Sequence, residues 1–125
     1  MEVLKYSLFL LFLISNYSQA TPHKKTIIRN NLSECITFSN YEVTYLDNIP
    51  MIKLHYQIMS SISECGCKSE LSQYSSQLNI DGNRINLLTA KLVFKSEDIT
   101  LPLATSNKLI DSYNLLVKFS CAPPS

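Results

Sequence analysis

The sequence predicts a small all-β domain: an antiparallel β-sandwich, Ig-like or barrel-like, stapled by disulfides. Three observations carry this reading. Several short segments alternate apolar and polar residues with period two, as half-buried strands do. The breaks between them are rich in Asp, Asn and Ser, which turn a chain where glycine is scarce, and the chain has only 2 glycines. All 4 cysteines follow a removable N-terminal address, which places them in an oxidising compartment.

The address is Met1–Ala20. Lys5 supplies positive charge, Leu8-Phe9-Leu10-Leu11-Phe12-Leu13-Ile14 is an unbroken apolar run, and Ser18-Gln19-Ala20 offers small residues to a signal peptidase. Cleavage is expected before Thr21. The apolar run falls well short of the roughly 20 residues that span a bilayer. The expected organisation is therefore a signal peptide over 1–20 and a single β-sandwich domain over 21–125, periplasmic or secreted. No stable membrane span is expected to remain after cleavage.

The elements follow in order. Ile27-Ile28 is a short edge strand. Tyr41, Val43 and Tyr45 alternate with Glu42 and Thr44, and Asp47-Asn48-Ile49-Pro50 then breaks the chain. Ile52, Leu54, Tyr56 and Ile58 alternate with Lys53, His55 and Gln57, the clearest strand of the set. Ser69–Gln77 lacks that pattern and is expected to be loop with a helical turn or two. Asp81-Gly82-Asn83 is the best hairpin signal, because Asp-Gly tolerates positive φ at both central positions. Leu87–Phe94 is apolar on both parities, as expected of a central strand or of one with a bulge. Ile99-Thr100-Leu101 is an edge strand because Pro102 cannot donate to a ladder. Asn107–Tyr113 has room for a helical turn. Leu115, Val117, Phe119 and Cys121 close the domain with a last alternating strand.

Cys65-Gly66-Cys67 places two thiols so close that a bond between them would close a strained ring. Each therefore seeks a separate partner, Cys35 or Cys121, and both pairings stay open at this level. Either one ties the first and last parts of the domain to its middle. Closing a loop of roughly 30 residues constrains the unfolded chain by about 3–4 kcal/mol. The motif has two sharper readings. A redox dithiol would need a low-pKa thiolate, which the neighbouring Lys68 would favour. A copper(I) or zinc site would add Met51, Met59 or His55 to the thiolates. Oxidation to structural crosslinks consumes both sets, so disulfides at Cys35, Cys65, Cys67 and Cys121 are the expectation, with no metal and no cofactor.

Signals for other functions are absent. The net charge is +1, which leaves no basic field for nucleic acid, and His23-Lys24-Lys25 is the single basic cluster along the chain. His23 lies in the expected tail. His55 sits on the polar parity of its strand, as a surface histidine would. Glu97-Asp98 reads as a solvated turn. No nucleophile elbow, metalloprotease helix motif or phosphate-binding glycine loop occurs, so no catalytic or cofactor-binding residue is assigned and no enzyme is expected.

Glu64-Cys65-Gly66-Cys67-Lys68-Ser69 with Tyr74, Leu101-Pro102-Leu103-Ala104-Thr105, and Ser120-Cys121-Ala122-Pro123-Pro124 resemble a small family of exported bacterial proteins of unknown function. That resemblance implies a bacterial, periplasmic protein and no particular activity. The expected function is a non-catalytic binding module of the cell envelope whose partner is another protein, contacted through loops at Asp47–Pro50, Ser69–Gln77 and Ser96–Asp98. The alternative is a copper- or zinc-handling protein built on the Cys-Gly-Cys motif; an unrecognised hydrolase ranks behind both. Mass spectrometry without reduction should find a chain beginning at Thr21 with all 4 cysteines blocked to alkylation. Free thiols on a chain that keeps residues 1–20 would overturn the export reading.

Overall fold

A computed structural model describes residues 25–123. Seven strands form two stacked sheets: β1 (Thr26–Asn30), β2 (Ile36–Leu46), β3 (Ile49–Ile58), β4 (Ser72–Ile80), β5 (Asn83–Leu92), β6 (Asp98–Pro102) and β7 (Asn114–Cys121). One sheet has the order β1-β7-β4-β5 and the other β2-β3-β6. All pairings are antiparallel except β1 with β7, which is parallel. The connections β3–β4 and β6–β7 both cross between sheets, while β3 pairs with β6 and β4 with β7. The two sheets are thereby threaded through each other. The all-β sandwich expected from the sequence is the architecture observed.

The two hairpin turns explain how so few glycines suffice. Asp47 and Asn48 both take positive φ, as do Asp81 and Gly82, the conformation that matches the natural twist of a two-residue hairpin. Both turns lie at one end of the sandwich, together with the 103–113 connection, where the Asn107 amide donates to the Asn48 carbonyl at 2.7 Å. The opposite end carries the connections 31–35, 59–71 and 93–97 and the end of β7.

One expectation is corrected and one open alternative is decided. Ser69–Gln77 is not a helical loop, because most of it is β4, flanked on both sides by paired strands. Its inward-facing row is Ser72, Tyr74, Ser76 and Leu78, all buried, so two core positions are serine and the hydrophobic period is hidden. The Ser72 and Ser76 hydroxyls have no hydrogen-bond partner among the described residues. The segment Leu87–Phe94 is not central: β5 is an edge strand. Its double-sided apolar character comes from the bulge, since Ser76 pairs with Leu88 and Gln77 with Asn86, leaving Leu87 extra. Ile62–Cys65 is a short 3-10 turn and Gly66 follows it at φ 90°, in the left-handed region.

The interior joins the sheets through aromatic rings. Phe38 and Tyr56 from the three-stranded sheet meet Phe119 and Tyr74 from the other, with Phe94 of the β5–β6 connection between them. The Phe38–Phe119 centroids are 4.6 Å apart and the Tyr56–Phe94 centroids 4.9 Å. Such pairs contribute about 0.5–1.5 kcal/mol beyond their buried area. Aliphatic residues Ile52, Leu54, Leu103, Leu115 and Val117 fill the rest. The Tyr74 hydroxyl crosses the sandwich to donate to the Pro102 carbonyl at 2.8 Å.

Burial pushes the Tyr74 phenol up to about 12 from its ordinary 10. The folded state therefore holds this proton more tightly than the unfolded chain does, and unfolding releases it between those two values. Stability should be unaffected by this group below pH 10 and fall as pH rises from 10 toward 12. In a Tyr74→Phe variant that alkaline decline, followed by urea denaturation, should be shallower. An identical decline in both proteins would refute the assignment.

Candidate functional site

The crosslinked end of the sandwich holds the candidate site. Cys35 is bonded to Cys65 and Cys67 to Cys121, with Cα separations of 6.2 and 5.2 Å. Of the two pairings left open by the sequence, this one fastens Cys65 to the start of β2 and Cys67 to the end of β7. One short segment thus clasps both sheets. The left-handed Gly66 reverses the chain between the two bonds, and its amide and that of Cys67 donate to the Ser63 and Ile62 carbonyls.

All 4 cysteines are bonded, so Cys65 and Cys67 present no thiolate to a metal or a redox partner in this state. Met51 lies within β3 and Met59 is exposed just beyond it. His55 faces solvent on the outer side of β3, as its parity predicts. It has a partner that the sequence did not reveal: His55 Nδ1 contacts the Asp98 carboxylate across the β3–β6 ladder. Asp98 is therefore not merely a solvated turn residue, although both side chains remain half-exposed.

A cleft of about 570 Å³ surrounds this pair, lined also by Thr37, Ser39, Gln57, Lys95 and Glu97. Its far wall is the 93–97 connection. That connection is held by the Ser96 amide donating to the Tyr56 hydroxyl at 3.1 Å and the Tyr56 amide donating to the Glu97 carbonyl at 2.9 Å. Ser39 sits at a bulge in β2, between Phe38 and Asn40, which swings its hydroxyl toward the His55 carbonyl at 3.4 Å. Ser39, His55 and Asp98 are thus neighbours, yet the serine proton is directed at backbone and not at the imidazole.

A second, smaller cleft of about 220 Å³ adjoins the first. Ile58 lines both; the smaller one sets Ile36, Ile62, Val93 and Phe94 beside Ser60, Ser61 and Glu70. Ile58, Met59 and Val93 are exposed beside it.

The model of a protein family covers residues 10–124. The chain belongs to the family described as uncharacterized proteins conserved in bacteria, DUF2195. No curated protein matches it. Membership agrees with the expectation of an uncharacterized bacterial family, and the match spans every strand of the sandwich and both disulfides.

Of the sequence-predicted contact loops, Ser96–Asp98 borders the cleft, whereas Asp47–Pro50 lies at the opposite end and Ser69–Gln77 is largely strand. The cleft escaped sequence reasoning because its residues come from β2, β3 and the β5–β6 connection, whose register is fixed only by pairing. The one available signal was the polar parity of His55 on its strand and the position of Asp98 directly before the Ile99-Thr100-Leu101 strand candidate.

An exposed ion pair is worth about 0–1 kcal/mol. His55→Ala and Asp98→Ala should each lower the urea-unfolding free energy by no more than that. A larger loss would make the pair a structural element and disqualify it as a surface free to contact a ligand.

Proposed function

We propose that this protein is an exported, non-catalytic binding module of the bacterial cell envelope that docks a segment of another protein at its crosslinked end. The observation that carries this reading is the pair of adjoining clefts, each lined by apolar and polar side chains together, joined at Ile58. Protein recognition combines an apolar anchor in a pocket with a polar surround. Ile36, Ile62, Val93 and Phe94 offer the first and the polar groups around His55 and Asp98 the second. The disulfides support the reading in two ways. They belong to an oxidising compartment, and they hold the surrounding connections in place before binding, which lowers the ordering cost of association.

The binding reading is favoured over hydrolysis by the engagement of the Ser39 hydroxyl with the backbone, since a nucleophile needs its base within hydrogen-bond reach. It is favoured over metal handling by the bonding of every cysteine.

A photo-crosslinking residue placed at Ile58 or Lys95 in cells should capture one and the same partner protein, whereas placement at Leu46, at the far end, should not. Ile58→Asp should weaken capture about tenfold, the scale of losing one anchor residue. Adducts of equal yield from position 46, or none from either cleft position, would sink the proposal.

A further inference from the structure

The near-neutral net charge conceals a segregation that appears only once strand register is known. The outer face of the four-stranded sheet can be read as cross-strand rows. Asn114, Asn79 and Arg84 form one row, and Ile27, Leu116, Gln77 and Asn86 the next. Arg29, Lys118, Ser75 and Thr89 follow, and Ser120, Gln73 and Lys91 complete the face. Arg29, Arg84, Lys91 and Lys118 all point outward, and no row contains a carboxylate. None of the four is ion-paired among the described residues, where the one salt bridge is His55–Asp98. Asp81 lies in the turn at the corner of this face. The other sheet is mixed by contrast: its outer rows hold Glu42 opposite Lys53 and His55 opposite Asp98.

We infer that this sheet face docks the protein, without insertion of a span, on an anionic phospholipid surface. Three features select that occupant. The cations are spread over about 14 Å across three strand spacings, and from Arg84 to Lys91 over roughly 23 Å of strand. That spread is too wide for one small anion and suits a surface bearing many charges. Along β4 the face is Gln73, Ser75, Gln77 and Asn79, and its aliphatic side chains, Ile27 and Leu116, are confined to one row, with no Trp or Tyr anchor of the kind that dominates protein interfaces. No aromatic side chain stands in these rows to stack bases, as single-stranded nucleic acid binding requires. A cleft floored by Leu78, Leu115 and Leu116 and lined by exposed Ile27 also carries Arg29, Arg84, Asn79 and Asn114, which offers one phosphate headgroup two guanidinium groups and two amides beside an apolar patch. Guanidinium matches phosphate in a bidentate fork. In an oxidising compartment the membrane leaflet is the anionic surface at hand. This face lies on the opposite side of the sandwich from the His55–Asp98 cleft, so both can be occupied together and each can fail alone.

The test is co-sedimentation of the disulfide-intact protein with vesicles of phosphatidylcholine alone or mixed with phosphatidylglycerol. Binding should require phosphatidylglycerol and disappear at high salt, where exposed charges are screened. Each cation contributes about fivefold to membrane affinity, so the Arg29→Gln, Arg84→Gln double variant should bind about 25-fold more weakly. Lys53→Gln, on the other sheet, should bind as the parent does, and thermal melts of all variants check that they remain folded. Equal binding to both vesicle types, equal loss in Lys53→Gln, or tighter binding to duplex DNA than to vesicles at matched salt would each overturn the assignment.

Discussion

The structure depends on the clasp at residues 62–67. Two crosslinks leave this one short segment in opposite directions, to the first strand of the three-stranded sheet and the last strand of the four-stranded one. The sequence separations closed are 30 and 54 residues, each worth about 4 kcal/mol in the chain-entropy model. Against a typical total stability of about 5–15 kcal/mol, that contribution decides whether a domain of this size stays folded. The clasp also explains an interior that departs from an ideal core. Unpartnered Ser72 and Ser76 hydroxyls at the centre each carry a desolvation cost of about 1–3 kcal/mol. A sandwich held by covalent bonds at one end tolerates this more readily than one held by packing alone.

The two ends of the sandwich consequently differ. At the crosslinked end the long connections are fixed to the sheets and border both clefts. At the other end, tight hairpin turns and the 103–113 connection meet through backbone hydrogen bonds, and the exposed apolar residues Tyr45, Leu46 and Ile49 flank the Asp47–Asn48 turn. The crosslinks and the two adjoining clefts coincide at the first end. There preorganisation favours recognition, because fewer rotamers and loops must be ordered when a partner arrives.

The two sheets also divide the charge between them. In the three-stranded sheet opposite charges face each other across the ladder, which keeps that surface neutral and lets the His55–Asp98 cleft discriminate by hydrogen bonding. In the four-stranded sheet like charges are collected with no acid among them. Arg29 and Lys118 are even direct neighbours in register. Such a pairing is unfavourable within the protein and is relieved when an external anion is present. In the readings proposed above, one surface makes a specific contact and the other adheres.

Much of the fold was legible before any coordinates. Regular alternation in β3 and β7, the Asp81-Gly82 turn, the edge status imposed by Pro102 and the presence of two crosslinks all follow from local rules of side-chain direction, backbone sterics and ring strain. What stayed hidden was of two kinds. β4 was invisible because serines occupy inward positions, and burial there is decided by the neighbours, not by the residue itself. The choice of Cys65 for Cys35, the meeting of His55 with Asp98 and the gathering of Arg29, Arg84, Lys91 and Lys118 onto one face all join residues far apart in sequence. Sequence by itself determined the strands with regular alternation, the turns and which residues would be crosslinked. Only the tertiary structure decided which of them would be neighbours, because strand register and the crossing between sheets are properties of pairing that no single segment encodes.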